Sequence, residues 1–241
     1  MKKEQKFFLA VVAILIILLS VIAFFAIRKK ASEPHVQTDA LKFKEEYEKL
    51  NNVVNESNGK KYLNVELDDL NPFVYKTEDE VIKILKGGSG IIYFGYSSCP
   101  WCRNIVPILN KAALSTGIEQ ITYLDIYDMR STLQLDDNDR VIVKREGSEN
   151  YKRILELMNS VLEDFYLTNS DGEQIKTNEK RLYAPTVVTV KEGKIVDIHV
   201  SSVDTQTDPY SEMTKEQGTE LFKKYTSMFT KFSGTTCDEA C

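Results

Sequence analysis

Residues 91–102 read Ile-Ile-Tyr-Phe-Gly-Tyr-Ser-Ser-Cys-Pro-Trp-Cys, and this stretch decides the predicted fold. Its first half is almost continuously apolar and aromatic, which is typical of a strand that is buried on both faces. We therefore expect a central strand over residues 91–96. A helical pattern follows it, contains Pro107 and ends near Gly117. Cys99 and Cys102 thus stand where a buried strand meets a helix.

This position gives the two cysteines different chemistry. The first turn of a helix has backbone N–H groups without partners and the positive end of the helix dipole, and both stabilise an anion. The pKa of Cys99 should therefore fall, so that its thiolate can attack a disulfide. Cys102, one turn deeper, is placed to attack the resulting mixed disulfide. Pro100 suits a first helical turn because it has no N–H to lose.

Regular elements are predicted on both sides of this junction. Before it, Tyr62–Leu67 is a candidate strand, and a capping box of Thr77 and Glu80 opens a helix that ends at the glycine-rich residues 87–90. After it, a strand (Ile121–Tyr127), a hairpin (Thr186–Val190 with Ile195–Val200) and a helix capped by Thr214 and Gln217 are expected.

Residues 128–180 interrupt this order and are predicted to be a helical insertion. Apolar residues recur there at steps of three and four from Tyr151 to Phe165, which indicates an amphipathic helix. Packing against the core is the favoured interpretation of this apolar stripe, and a groove for a partner is the alternative.

The sequence resembles the thioredoxin-fold thiol–disulfide oxidoreductases. The resemblance rests on the motif Cys99-Pro100-Trp101-Cys102, on Pro107 five residues later, and on Ala184-Pro185 before the hairpin. It implies an α/β thioredoxin-like fold with a central mixed sheet flanked by helices, spanning about residues 39–232. It also implies Cys99 and Cys102 as catalytic residues that need no cofactor.

The same resemblance implies which residues bind substrate. Ala184-Pro185 stands where the family has a cis-proline loop that pairs with the backbone of a bound peptide. Pro185 is expected to position the substrate backbone, with Trp101 and Tyr96 beside the entrance. The expected substrates are cysteine-containing proteins or peptides, together with a redox partner.

Two departures from the family pattern concern acid–base groups. Thioredoxins commonly hold a buried carboxylate six residues before the first cysteine, where this sequence has Tyr93. No histidine lies inside the motif. His35 and His199 are interpreted as a stalk residue and a surface residue.

The N-terminal region predicts a membrane anchor. Residues 7–27 contain no charge, and a helix of that length matches the hydrocarbon core of a bilayer. A cleavable signal peptide is the alternative, but the apolar run is long for one. Residues 1–6 form a basic tail and residues 28–38 a polar stalk. A membrane-anchored protein with this layout is similar to the bacteriocin transport accessory proteins of Gram-positive bacteria.

Charge separates this anchor from the rest of the chain. Residues 1–30 hold six basic residues and one acidic residue, whereas the remainder holds 25 basic and 35 acidic residues. So acidic a domain argues against a nucleic-acid partner. Cysteines in pairs, with no odd thiol, favour an oxidising compartment, so we expect a single-pass cell-membrane protein with its large domain outside the cytoplasm.

The second cysteine pair lies in the tail, residues 233–241. Cys237 and Cys241 form either a structural disulfide, a pair of free thiols, or a second redox pair that exchanges electrons with Cys99. Two other functions stay open. All four cysteines could ligate a zinc ion, although the favoured interpretation is that the protein has no metal site. The domain could also be a binding module whose thiols are incidental.

Overall fold

The computed structural model describes residues 37–234. The predicted transmembrane segment 7–27, the basic tail 1–6, most of the stalk and the pair Cys237 and Cys241 lie outside these residues. Within residues 37–234, no helix is both long enough and apolar enough to cross a membrane.

A five-stranded mixed sheet forms the centre of the domain, which confirms the predicted central mixed sheet with flanking helices. Its strands are β1 (Phe73–Tyr75), β2 (Gly90–Gly95), β3 (Ile121–Asp125), β8 (Thr186–Lys191) and β9 (Lys194–Val200). Their order across the sheet is β1-β3-β2-β8-β9. Strands β1, β3 and β2 run parallel, β8 runs antiparallel to β2, and β9 runs antiparallel to β8.

Strand β2 is the middle of this sheet and is buried on both faces, as its apolar sequence predicts. Successive side chains of a strand point to opposite faces. Ile91 and Tyr93 accordingly pack into one core, and Ile92 and Phe94 pack into the other. The carboxyl end of this strand leads directly to Cys99.

Within residues 37–234, five helices cover the sheet and build the two cores. The helices are α1 (Asp39–Glu48), α2 (Glu78–Gly87), α3 (Pro100–Ser115), α4 (Glu149–Leu157) and α5 (Lys215–Ser233). The aromatic core is formed by α1, α3, α5 and one sheet face, and it includes Phe43, Tyr47, Phe73, Tyr93, Cys99, Cys102, Tyr123, Tyr225 and Phe229. The aliphatic core is formed by α2, α4 and the other face, and it includes Val81, Ile82, Leu85, Ile92, Phe94, Ile154, Val188 and Val190.

Both predicted capping boxes are present. The Thr77 side chain accepts a hydrogen bond from the Glu80 N–H, and Glu80 accepts one from the Thr77 backbone. Thr214 and Gln217 make the same reciprocal pair at the start of α5. Each box satisfies backbone donors that the first turn of a helix leaves free.

The prediction of a helical insertion over residues 128–180 is wrong in its main feature. The segment contains a hairpin of β4 (Thr132–Leu135) and β5 (Val141–Arg145), a nine-residue helix α4, and a hairpin of β6 (Asp164–Thr168) and β7 (Gln174–Lys180). Helix α4 ends at Leu157, and Phe165 belongs to β6. Met158 and Leu162 nevertheless lie in the aliphatic core, so the apolar spacing reflects burial beyond the helix end.

The predicted strand over Tyr62–Leu67 is also wrong, because this extended segment has no strand beside it. The Tyr62 N–H donates to the Val53 carbonyl oxygen at 2.9 Å, but two later backbone donors go to side chains. The Val65 N–H donates to Asn51 Oδ1 at 2.8 Å, and the Leu67 N–H donates to Glu48 Oε1 at 2.9 Å. Side-chain acceptors thus replace the ladder that the alternating sequence suggested.

Candidate active site

Cys99 is the N-cap residue of α3, at the carboxyl end of the central strand. Its Sγ accepts a hydrogen bond from the Cys102 N–H at 3.3 Å. Pro100 occupies the first helical turn, where no N–H is needed. The thiol therefore caps the helix in the way that a serine or aspartate oxygen usually does.

This cap sets the ionisation of Cys99. Burial acts to raise the pKa of its thiol. Hydrogen bonds from the Cys102 side chain and from the backbone N–H groups of Cys102 and Trp101 outweigh that effect, and the Arg130 charge adds to them. The pKa of Cys99 is lowered from its ordinary value, which favours the thiolate.

Cys102 lies one turn further into the helix and has the opposite character. It is 0% exposed, whereas Cys99 keeps 3% of its surface exposed. Burial, followed by the hydrogen bond and the charge of Cys99, raises the pKa of the Cys102 thiol well above its ordinary value. Both cysteines are free thiols. Of the pair, only Cys99 has any surface that another molecule can reach.

The loop before β8 closes one side of the site. The Cys99 thiol donates a hydrogen bond to the Ala184 carbonyl oxygen at 3.4 Å. The Ala184–Pro185 peptide bond is cis, Pro185 is buried, and its carbonyl oxygen accepts a hydrogen bond from the Ser201 N–H at 2.8 Å. The structure thus brings together Cys99 and the loop that the sequence resemblance paired with it, across 85 residues of chain.

Tyr96 and Trp101 are both partly buried and pack against the aromatic core. The Tyr96 ring meets Tyr127 edge-on, with 5.0 Å between the ring centroids. These two predicted substrate-binding residues therefore lie on the same part of the molecule as Cys99. Whether they contact substrate stays a prediction.

Arg130 is a site residue that the sequence did not reveal. Its guanidinium carbon lies 5.1 Å from the centroid of the Tyr96 ring, and its Nη2 donates to the Tyr96 hydroxyl at 3.2 Å. It is also the positive charge that acts on Cys99. Arg130 comes from the start of the inserted segment, and no local sequence pattern links it to the cysteines.

Arg103 was also missed, although it directly follows Cys102. It is 1% exposed, and its guanidinium donates to four neutral oxygens. These belong to Leu63, Tyr47, Ser97 and Asn51, at distances from 2.7 to 3.2 Å. Arg103 thereby joins the active-site helix to α1 and to the extended segment after it. A basic residue in a helix is usually exposed, so its type alone gave no signal.

Tyr93 lies beneath the cysteines, in the position where the family pattern has a carboxylate. It is fully buried in the same core as Cys102, and its hydroxyl acts to lower the pKa of the Cys102 thiol. The Tyr47 hydroxyl of α1 lies 2.7 Å from the Tyr93 hydroxyl. No sequence pattern linked Tyr47 to the cysteines.

The remaining predicted residues are less informative. The interpretation of His199 as a surface residue is wrong, because it is partly buried and its ring meets Tyr225 edge-on at 5.5 Å. Cys237 and Cys241, which the zinc and second-redox-pair hypotheses both need, lie outside the described residues. Within residues 37–234, no group of three or more potential metal ligands is present.

Comparisons with known proteins give limited information. No protein-family model matches the sequence, and no curated protein matches it. Among solved structures, a thioredoxin from Aeropyrum pernix is 22% identical, with a TM-score of 0.29 over 53% of this chain and 74% of that one. Thioredoxin O2 from Arabidopsis thaliana, in its oxidized state, is 17% identical, with a TM-score of 0.30 over 56% of this chain and 85% of that one. What this chain does must therefore be inferred from the residues around Cys99.

Proposed function

We propose that this chain is a thiol–disulfide oxidoreductase of the thioredoxin-like type, acting on protein or peptide cysteines. The observation that carries the proposal is the unequal pair at the start of α3. Cys99 is slightly exposed and has a lowered pKa, whereas Cys102 is fully buried and has a raised pKa. An exchange reaction needs one thiolate that attacks the substrate disulfide and one thiol that then resolves the mixed disulfide.

In the first step, the Cys99 thiolate attacks one sulfur of a substrate disulfide. A bond forms between Cys99 and that sulfur, the substrate S–S bond breaks, and the other substrate sulfur leaves as a thiolate. Backbone N–H groups at the helix start stabilise the attacking thiolate before the reaction. Arg130, which acts on the same sulfur, contributes in the same sense.

In the second step, Cys102 attacks Cys99 Sγ. The new bond joins the two cysteines, the bond from Cys99 to the substrate breaks, and the proton of Cys102 ends on the departing substrate thiolate. The substrate disulfide has then been reduced by two electrons and the cysteine pair oxidised. The reverse sequence oxidises a substrate dithiol.

The surroundings of Cys99 support a polypeptide substrate. The Ala184 carbonyl oxygen, which now accepts from the Cys99 thiol, is a backbone group of the kind that pairs with an extended peptide. The partly buried side chains of Trp101 and Tyr96 supply apolar surface nearby. We assign Trp101, Tyr96, Ala184 and Pro185 to substrate binding on this basis.

We further propose that residues 7–27 anchor the chain in the cell membrane, with the large domain outside the cytoplasm. The 21-residue uncharged run supports the anchor, and the paired cysteines support the oxidising side. Protease treatment of intact cells tests this orientation. Digestion of the large domain is the expected result, and full protection would overturn it.

Trapping of mixed disulfides tests the redox function. The full-length chain carrying Cys102→Ser is expected to accumulate disulfide-linked adducts in its own cells, because the second step is blocked. The matched control carries Cys99→Ser in addition and should form none of these adducts. Mass spectrometry of the adducts identifies the partner cysteines.

Two other outcomes would replace this proposal. If no Cys99-dependent adduct forms and Cys99→Ser leaves the cellular role intact, the domain is a binding module. If the purified full chain carries one zinc ion and all four thiols resist alkylation, it is a zinc protein.

A further inference from the structure

Two tyrosine hydroxyls form a chain beneath Cys102 that the exchange steps above do not use. Tyr93 of β2 and Tyr47 of α1 are each 0% exposed, and their hydroxyl oxygens lie 2.7 Å apart. Tyr93 lies in the same buried core as Cys102, and its hydroxyl acts to lower the pKa of that thiol. The two hydroxyls and the Cys102 sulfur therefore belong to one buried polar cluster.

The backbone of β2 aims Tyr93 at this thiol. Gly95 follows two residues later, on the same face of the strand. A Cβ atom added at Gly95 would lie 2.2 Å from the Tyr93 hydroxyl oxygen and 2.4 Å from its Cζ. The ring therefore lies directly over Gly95, pointing along the strand towards the cysteines. Only glycine leaves room for that orientation.

Neighbouring rings hold Tyr93 in place. Its ring stacks on that of Tyr123, with 5.5 Å between centroids and 23° between planes. Phe73 meets it edge-on at 5.9 Å. A ring packed in this way has little freedom to turn its hydroxyl away from Cys102.

The protonation of the two tyrosines defines what they can do. Burial raises the pKa of Tyr93 and of Tyr47 well above the ordinary value, so both keep their protons. Tyr93 therefore cannot take the proton of Cys102, as a buried carboxylate could. It can donate its own hydrogen to the sulfur, while the Tyr47 hydroxyl donates to Tyr93.

We propose that Tyr93, supported by Tyr47, donates a hydrogen bond that stabilises the Cys102 thiolate during the second step of exchange. This inference rests on the proposed function. In that step Cys102 loses its proton, which ends on the departing substrate thiolate, and the Cys102 sulfur bonds to Cys99. The tyrosines neither gain nor lose a proton overall.

The other titratable groups around Cys102 do not supply this donor. The groups that face it are Cys99 on its own helix, Tyr93 on β2, Tyr96 just after β2, Tyr47 on α1 and Tyr225 on α5. Cys99 raises the pKa of Cys102, whereas the Tyr93 hydroxyl and the Tyr96 backbone N–H lower it. Arg130 acts on Cys99.

A two-phase reaction tests the proposal. The aromatic disulfide dithiobis(nitrobenzoate) releases one coloured thiolate when Cys99 attacks it and a second when Cys102 resolves the adduct. The full-length chain in detergent carries Cys237→Ser and Cys241→Ser, so that the tail thiols add no signal. The rates of both phases are followed by absorbance over a range of pH, with the reagent equimolar to the protein.

The expected result is a change in the second phase only. Tyr93→Phe should leave the first phase within about twofold and slow the second by about tenfold or more near neutral pH, since hydrogen bonds to charged groups are stronger than those between neutral groups. The difference should vanish at high pH, where Cys102 ionises unaided. Tyr47→Phe should shift the same profile to higher pH by a smaller amount.

Tyr123→Phe is the matched control. It removes a hydroxyl from an equally buried ring that stacks on Tyr93, but this hydroxyl donates to Glu46 at 3.0 Å. Its two phases should match those of the parent protein at every pH. An equal slowing of the second phase in this control would mean that packing alone is responsible.

Each negative outcome has a distinct meaning. An unchanged second-phase profile in Tyr93→Phe overturns the inference and leaves the proposed function intact. If Tyr93→Phe does not fold, an unchanged profile in Tyr47→Phe overturns it. A parent protein without a Cys99-dependent first phase would overturn the proposed function itself.

Discussion

The two cores on either side of the central sheet bury different chemistry. The aromatic core contains both thiols and four fully buried tyrosines, which are Tyr47, Tyr93, Tyr123 and Tyr225. The aliphatic core is built mainly from valine, isoleucine and leucine side chains. Both cores pack against the same strands, so the difference arises from alternate residues of one sequence.

This difference separates reactivity from stability. A buried hydroxyl is costly unless it is hydrogen-bonded, and three of the four tyrosines in the aromatic core have partners for their hydroxyls. Within the described residues, the Tyr225 hydroxyl has none. The aliphatic core has one buried tyrosine, Tyr151, whose hydroxyl accepts a hydrogen bond from the Leu182 N–H at 3.4 Å. We therefore expect substitutions of the aromatic-core groups that act on the thiols to alter thiol chemistry, and substitutions in the aliphatic core to alter stability alone.

Arg103→Met should give the largest effect, because it disturbs both properties on the aromatic side. It removes the guanidinium donor from four oxygens, and the Leu63 and Ser97 carbonyl oxygens then have no donor among residues 37–234, at a cost of about 1–3 kcal/mol for each unsatisfied buried group. We expect a loss of roughly 3–5 kcal/mol in the free energy of unfolding, measured by urea denaturation. Arg153→Met is the control, since Arg153 lies on the partly exposed side of α4. Equal stability of the two variants would contradict the role of Arg103 in joining α3 to α1.

Ile92→Ala should destabilise the aliphatic core and leave the thiol chemistry unchanged. Ile92 is 0% exposed, and removing a buried isoleucine side chain to alanine costs about 2–5 kcal/mol. Urea denaturation should show this loss. Under native conditions, the pH profiles of both exchange phases should match the parent. A shifted profile would mean that the two cores are not independent.

Arg130→Met should alter the chemistry of Cys99 and leave the stability of the protein unchanged. Loss of this positive charge should raise the pKa of Cys99 towards its ordinary value, because Arg130 acts to lower it. At neutral pH the thiolate fraction falls, so alkylation of Cys99 by iodoacetamide should slow by about three- to tenfold, as the loss of one favourable charge interaction allows. Mass spectrometry of the alkylated peptide assigns the rate to Cys99.

Arg140→Met is the matched control for this charge. Arg140 lies in the exposed turn between β4 and β5 and pairs with Asp136 at 2.8 Å. It should leave both the alkylation rate and its pH midpoint unchanged. If both variants slow the reaction equally, the effect is one of net charge and not of position.

Glu80→Gln should give the smallest effect, restricted to acid. Hydrogen bonds from Lys76 and from Thr77 lower the pKa of Glu80 to about 2. A lowered pKa adds stability above the ordinary carboxyl value, and that stability is lost as the pH falls towards 2. The parent protein should therefore have a higher melting temperature than the variant at neutral pH. The gap in melting temperature should close between pH 4.5 and about 2.

The sequence predicted those features that depend on neighbouring residues. The capping boxes at Thr77 and Thr214 and the placement of Cys99 at a helix start are local patterns, and the structure contains them. The pattern at Tyr62–Leu67 failed because extended backbone needs a neighbouring strand to become a sheet. Here the partners are the side chains of Asn51 and Glu48.

The missed site residues share one cause. Tyr47 lies 46 residues from Tyr93 in the chain, and Arg103 reaches Tyr47 across 56. Arg130 reaches Tyr96 from 34 residues away. Each contact depends on how helices and the inserted segment pack on the sheet, which no local spacing encodes.

Trp101 also has a practical consequence. It is the only tryptophan of the 241 residues, and it sits between Cys99 and Cys102. Indole emission from this protein therefore arises at a single place, within two residues of both cysteines. Because the ring is partly buried against the same core, its fluorescence intensity should change when the dithiol becomes a disulfide. The chain thus carries its own optical label for stopped-flow work, with no dye attached.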